Sequence, residues 1–288
     1  MAVLTKECTA YAQSEGNSPL FPSVLTVLTV LIDLTDLIDL IDLIPFPPPT
    51  FQIIYYLCTP KNKIMDEFFM YDEKMEQRVD QLKRMLRLSM NGVVSGCMSA
   101  SGLDYKLNYG VQLPRLKEMA AGMDKDKMFA QRLWMSNCRE MMLLATMLFP
   151  MDSFDEETAL KWVSECHNME LVEQLSLNLL RNMEYADDLI IKLLEKQGKY
   201  EKATAYVLAS FLYLRGSLSV ETEEACKSAM ENDASSSDYA VYSSVARFLR
   251  VLSGNERTFV AQFMDRLDGK SEKGPSFVRE NVRMMLVD

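Results

Sequence analysis

From Met65 onward, apolar residues recur at intervals of three and four, the spacing that puts them on one face of an α-helix. Val79, Leu82, Met85, Leu86 and Ser89 form the first stripe, with Arg78, Lys83, Arg84 and Arg87 between them, and Asn91 and Gly92 end it. The next helix is predicted over 113–121, opened by Pro114 at a favoured first-turn position. Further helices follow over 128–135, over 139–149 (an apolar run stopped by Pro150), and over 154–166, 170–182, 185–196 and 200–214. The series closes with 220–231, 238–252, 256–267 and 275–287. Period-two alternation is nowhere long enough to predict a strand.

About a dozen helices on short connections, with no heptad seam, point to stacked helix pairs rather than a coiled coil. Equivalent helices recur about every 35–45 residues, the period of HEAT and armadillo repeats. The expected fold class is therefore all-α, a HEAT-like helical-repeat solenoid (an α/α superhelix) over residues 65–288, with an ordinary all-α globule as the alternative. The 21 Met residues read mainly as core filler, because an unbranched thioether adapts to irregular gaps between helices; a methionine-rich binding groove is the other reading.

Residues 1–64 break the pattern. A run of Leu, Val, Ile and Thr carries Asp33, Asp36, Asp39 and Asp42 at a spacing of three and leads into Pro45, Pro47, Pro48 and Pro49, a low-complexity extension. Each Asp near the centre of a membrane helix would cost about 2.5–3.5 kcal/mol, so no span is expected. Glu7 and Glu15 also suit a signal peptide badly. The expectation is that the biological chain starts at Met65 or Met70 and that 1–64 stand outside the fold; the alternative is a membrane-surface or partner-binding extension.

Composition narrows the class. With 48% hydrophobic and 25% charged residues, 11 Gly, 10 Pro and one His in 288 residues, the chain fits an ordinary globular protein better than a disordered, collagenous or His-rich one. Six cysteines, at 8, 58, 97, 138, 166 and 226, show no C-x-x-C pair and read as reduced thiols of a cytoplasmic protein. Net charge is −10, which argues against a generic nucleic-acid binder. The charge is uneven, however. Residues 65–150 hold 12 basic and 11 acidic side chains (+1), residues 151–235 hold 8 and 17 (−9), and residues 239–288 hold 8 and 6 (+2). An anionic ligand would favour the two ends unless folding gathers scattered cations on one face.

Chemistry-bearing motifs are sparse. No glycine-rich phosphate loop, H-E-x-x-H, G-x-S-x-G or kinase signature occurs. His167, beside Cys166 and Glu165, reads as a turn or capping residue, and neither a metal nor a cofactor is expected. Glu170 and Glu173 lie three apart on one helix face, where paired carboxylates could orient water or stabilise a cation; the plainer reading is a solvated face. Glu156 and Glu157 suit a helix first turn.

The stretch from Leu107, Asn108, Tyr109 and Gly110 to Pro114, Arg115, Leu116 and Lys117, followed by Leu133, Trp134, Met135, Ser136, Asn137, Cys138, Arg139 and Glu140 and an apolar helix to Phe149, resembles the DNA alkylation repair (AlkD-like) family. On the residues alone, Trp134 would pack between helices, and Arg139 with Glu140 would cap the next one. The resemblance implies a HEAT-like solenoid whose concave cationic face grips duplex DNA by its backbone. In active members it implies hydrolysis of the N-glycosidic bond of N3- or N7-alkylated purines without flipping the base into a deep pocket. A carboxylate and aromatic rings would then stabilise the cationic nucleoside.

Carried over residue by residue, the family's Trp-x-x-x-Asp falls on Met169 and Glu173, which makes Glu173 the expected catalytic carboxylate. An arginine of the following repeat falls on Lys202, and a Trp-x-x-Arg pattern falls on Arg247, Phe248, Leu249 and Arg250. Lys202, Arg247 and Arg250 are thus the expected DNA-binding residues, with both tryptophan faces lost. Two function classes stand: a DNA-lesion protein, catalytic or not, and a helical-repeat scaffold whose Asp187, Asp188, Glu195 and Glu201 would face a basic protein partner.

Overall fold

The computed structural model describes residues 72–103 and 105–285. Its helices belong to a unit spanning Tyr71–Asp288; the extension expected over 1–64 lies outside the described residues. Thirteen α-helices are described: α1 (Glu73–Leu88), α2 (Gly92–Ala100), α3 (Leu113–Ala121), α4 (Lys127–Trp134), α5 (Arg139–Leu148), α6 (Glu156–Ser164), α7 (Met169–Asn178), α8 (Ala186–Leu194), α9 (Lys199–Arg215), α10 (Val220–Ala234), α11 (Tyr239–Leu252), α12 (Arg257–Leu267) and α13 (Lys273–Arg283). No strand occurs among the described residues; a single bridge joins Leu107 to Cys138.

From α4 onward the helices pair and stack in two layers. Helices α5, α7, α9, α11 and α13 pack on one another in succession, and α4, α8, α10 and α12 pack on the members of that layer that follow them in sequence. This is the HEAT-like solenoid expected from the helix spacing, not the ordinary all-α globule that was the alternative. The layer of α5, α7, α9 and α11 is covered on several sides, and its composition shows it. In α9 every residue from Ala203 to Ser210 is buried, and in α5 all but Met147 are. Burial of three hydroxyls in so apolar a layer is tolerated because they return their hydrogen bonds to the preceding turn: Thr204 to the Tyr200 carbonyl, Ser210 to that of Tyr206 and Ser244 to that of Ala240, all at 2.7 Å.

Sequence and structure differ at three places. The segment after Gly92 forms α2, capped by the Asn91 carboxamide accepting from the Val94 amide, although none of its residues is buried. A helix without a buried face leaves no three-four stripe to read. The helix expected over 170–182 ends at Asn178 and continues as a 3₁₀ turn, Leu180–Asn182, which displaces Arg181 from the helical register. The third difference concerns Arg139 and Glu140. They do not cap α5; both are buried, and they clamp the loop before α3. Glu140 accepts from the Tyr109 and Val111 amides, each at 3.1 Å, and Arg139 donates to the Val111 carbonyl at 2.8 Å. Arg139 also makes a bidentate pair with Glu170 at 2.8 and 2.6 Å. Burial opposes the Arg139 charge, and the flanking Glu170 and Glu140 more than offset it, raising its pKa. Gly110 completes the loop at φ +71°, where a Cβ would lie 2.1 Å from the Asn91 carbonyl oxygen.

The two tryptophans are core residues. Trp134 stacks on Trp162 at 4.1 Å with the planes 4° apart, Phe149 and Phe154 meet Trp162 edge-on, and the Trp134 indole donates to Glu165. No helix among the described residues is long and apolar enough to cross a membrane.

Candidate functional site

The ends of α7, α9 and α11 bring together side chains that lie far apart in the chain. Glu173 projects from α7, and its carboxylate accepts from Arg247 of α11 at 2.8 Å, with both side chains partly open to solvent. The Arg247 guanidinium also lies over the Phe211 ring of α9, 5.0 Å from its centroid. Arg181, in the 3₁₀ turn after α7, lies over the same ring at 5.7 Å. Arg215, the last residue of α9, donates to the Arg181 carbonyl at 2.8 Å and to the Asn182 carboxamide at 3.2 Å. Arg250, one turn beyond Arg247, is exposed.

The backbone explains part of this grouping. Arg215 and Arg250 lie in the last turns of α9 and α11, where the partial negative charge of the helix end favours cations. It does not explain Arg181 and Arg247. Two guanidinium groups near one phenyl ring gain cation–π attraction of about 0.5–1 kcal/mol each at partly exposed positions. The Arg181 Nε is buried and has no hydrogen-bond partner within the protein. The result is a chain of neighbours in a protein that is acidic overall: Arg247 is bonded to Glu173, Arg181 shares the Phe211 ring with Arg247, Arg215 holds the Arg181 carbonyl, and Arg250 lies one turn beyond Arg247. Much of the acidity of the middle segment lies in the other layer, where Glu156, Asp187 and Glu223 sit in the first turns of α6, α8 and α10. They are taken up by Lys192, the Ser219 amide and Lys227, respectively.

Of the residues singled out by sequence, Glu173, Arg247 and Arg250 share this site, and Lys202 is not in contact with them. Its ammonium pairs with Asp233, which is buried and accepts a second bond from the Tyr206 hydroxyl at 2.7 Å. Burial, and then the Asp233 charge, push the Tyr206 phenol up, so it stays a donor to that carboxylate. With 14% of its side chain exposed, Lys202 ties α9 to α10, and the charge that its expected DNA-binding role calls on is already paired with Asp233. Replacing it with methionine should leave Asp233 buried without its cation and cost about 3 kcal/mol in denaturant unfolding. DNA affinity should be unchanged; weaker DNA binding with undiminished stability would place Lys202 back at the interface.

Glu170 and Glu173 do not act as a pair: Glu170 is held by Arg139 and by the Tyr105 hydroxyl at 3.2 Å. His167 packs edge-on against Tyr105, and no group of metal-binding residues is found among the described residues. Sequence reasoning missed Phe211, Arg181 and Arg215. Phe211 looks like one more apolar residue of α9, and only the stacking of the layer shows that its ring faces the site.

Comparison with known proteins agrees with this architecture. A solved structure from a new family of proteins related to the HEAT-like repeat DNA glycosylases, with affinity for branched DNA structures, is similar at a TM-score of 0.59 and 10% identity, covering 71% of this chain and 94% of that one. At that identity the likeness shows the fold. No curated protein matches the chain. The family model described as DNA alkylation repair enzyme matches residues 95–284, which include every helix from α3 to α13 and all the residues of the site. The chain therefore belongs to the DNA alkylation repair enzyme family.

Proposed function

We propose that this protein binds duplex DNA through its phosphate backbone at the ends of α7, α9 and α11, and that it excises alkylated purines slowly or not at all. The observation that carries the reading is the convergence of Arg181, Arg215, Arg247 and Arg250 from successive repeats onto one site. Family membership and the branched-DNA affinity of the structural relative support it. Binding through about three to four phosphate contacts predicts a log–log salt slope of about −3, at roughly −0.9 per contact. Fluorescence anisotropy on an undamaged duplex and on a four-way junction, titrated from low to moderate salt, measures it. A slope near zero would remove the backbone-binding reading.

The expectation about excision follows from what surrounds Glu173. A carboxylate that stabilises a developing nucleoside cation must be free to do so, whereas this one is bonded to Arg247. Met169 offers no π face, and both tryptophans are buried in the core. Release of 7-methylguanine or 3-methyladenine from alkylated duplex, followed by chromatography, should therefore be slow or stay at the uncatalysed level. Turnover that disappears in Glu173→Gln would instead make Glu173 the catalytic carboxylate.

A further inference from the structure

The ion pair at the centre of the site has a consequence for how DNA enters it. Charge-assisted bonds between a guanidinium and a carboxylate or a phosphate have the same length, about 2.7–2.9 Å, and the Glu173–Arg247 pair has it, at 2.8 Å. Glu173 thus holds the place on Arg247 that a phosphate oxygen would take. Arg181 lies against the same Phe211 ring: α9, which carries the ring, packs on both α7 and α11, so the two guanidinium groups reach it from neighbouring repeats. Arg215 donates to the Arg181 carbonyl, which brings a third arginine beside the ring.

We propose that Arg181 and Arg247 form one phosphodiester-binding site flanking Phe211, and that Glu173 occupies it as an intramolecular competitor in the DNA-free protein. The inference rests on the DNA-binding reading above. It gives Glu173 a role opposite in sign to that of a catalytic carboxylate, because removing its charge strengthens the complex. In the wild type, a phosphate that takes Arg247 releases Glu173, which regains a counterion, so this contact adds little to net ion release. With glutamine at 173 the contact releases its counterion in full.

The test is a double-mutant cycle on undamaged duplex DNA, read as affinity and salt slope by anisotropy, with Glu173→Gln, Arg247→Gln and the double variant of the full chain. Glu173→Gln should tighten binding about three- to fivefold, the range set by an exposed ion pair that no longer has to be broken. It should also steepen the log–log slope by about 0.9. In the Arg247→Gln background the same change should do nothing. Equal tightening in both backgrounds would mean a long-range charge effect and overturn the competitor. Unchanged or weaker binding by Glu173→Gln, with Arg247→Gln still weakened, would overturn the competitor and leave the DNA-binding reading standing. Absence of wild-type binding at low salt would overturn both. Circular dichroism confirms that each variant is folded.

Discussion

Replacing Arg247 and Arg250 together by glutamate should abolish duplex DNA binding, by about a hundredfold or more, without unfolding the protein. Each arginine in contact with a phosphate contributes a hydrogen bond to a charged group, worth about 1.5–3 kcal/mol, so losing two costs upwards of about 3 kcal/mol before the new repulsion is counted. Reversal also places a carboxylate at 247 opposite Glu173, now without its cation. The fold should tolerate this, because Arg247 is partly exposed and Arg250 exposed, and both lie near the end of α11, away from its buried stripe of Val241, Val245, Phe248 and Leu252. Anisotropy at low salt gives the affinity, and a thermal unfolding curve shows whether structure is kept. A variant that binds as tightly as the wild type would move the interface to another face.

The second large effect concerns stability. Arg139→Met should destabilise the protein by about 3–5 kcal/mol, the cost of leaving a buried charge unpaired. Arg139 and Glu140 are both almost inaccessible, and the guanidinium answers Glu140, Glu170 and the Val111 carbonyl at once. Without it, the Glu140 charge stays buried with only neutral donors for compensation, the Tyr109 and Val111 amides and the weak Cys138 thiol. For a unit of this size the midpoint of thermal unfolding should fall on the order of 10 °C. Arg139→Lys should recover part of the loss, since it keeps the charge and forfeits the planar fork that fits Glu170. An unchanged midpoint in Arg139→Met would show that the clamp is not holding the loop before α3. DNA affinity measured well below the transition should be preserved, which separates this network from the arginine group at the ends of α7, α9 and α11.

Much of the fold was legible along the chain because helix formation and burial are encoded locally. A stripe such as Val79, Leu82 and Leu86 names its own buried face, and Pro114 and Pro150 punctuate the helices wherever they fall. The short connections then favour helix pairs, and the pairs stack. The resemblance carried by residues 107–149 also identified the family, although the motif residues turn out to serve the architecture: Glu140 and Arg139 hold a loop, and Trp134 stacks in the core.

The site was legible only in part. Glu173, Arg247 and Arg250 could be placed by analogy, but no local pattern reveals that the first two are bonded across 74 residues of sequence. Nor could it show that Lys202 is spent on Asp233, that Glu170 answers Arg139 rather than Glu173, or that Phe211 turns its ring toward two arginines. The sequence by itself determined most of the helices and which of their faces are apolar, wherever a buried stripe marks them. The stacking of α7, α9 and α11 decided which charges meet, because the choice of an ion's partner depends on distances of a few ångströms between side chains that only the packed layer brings together.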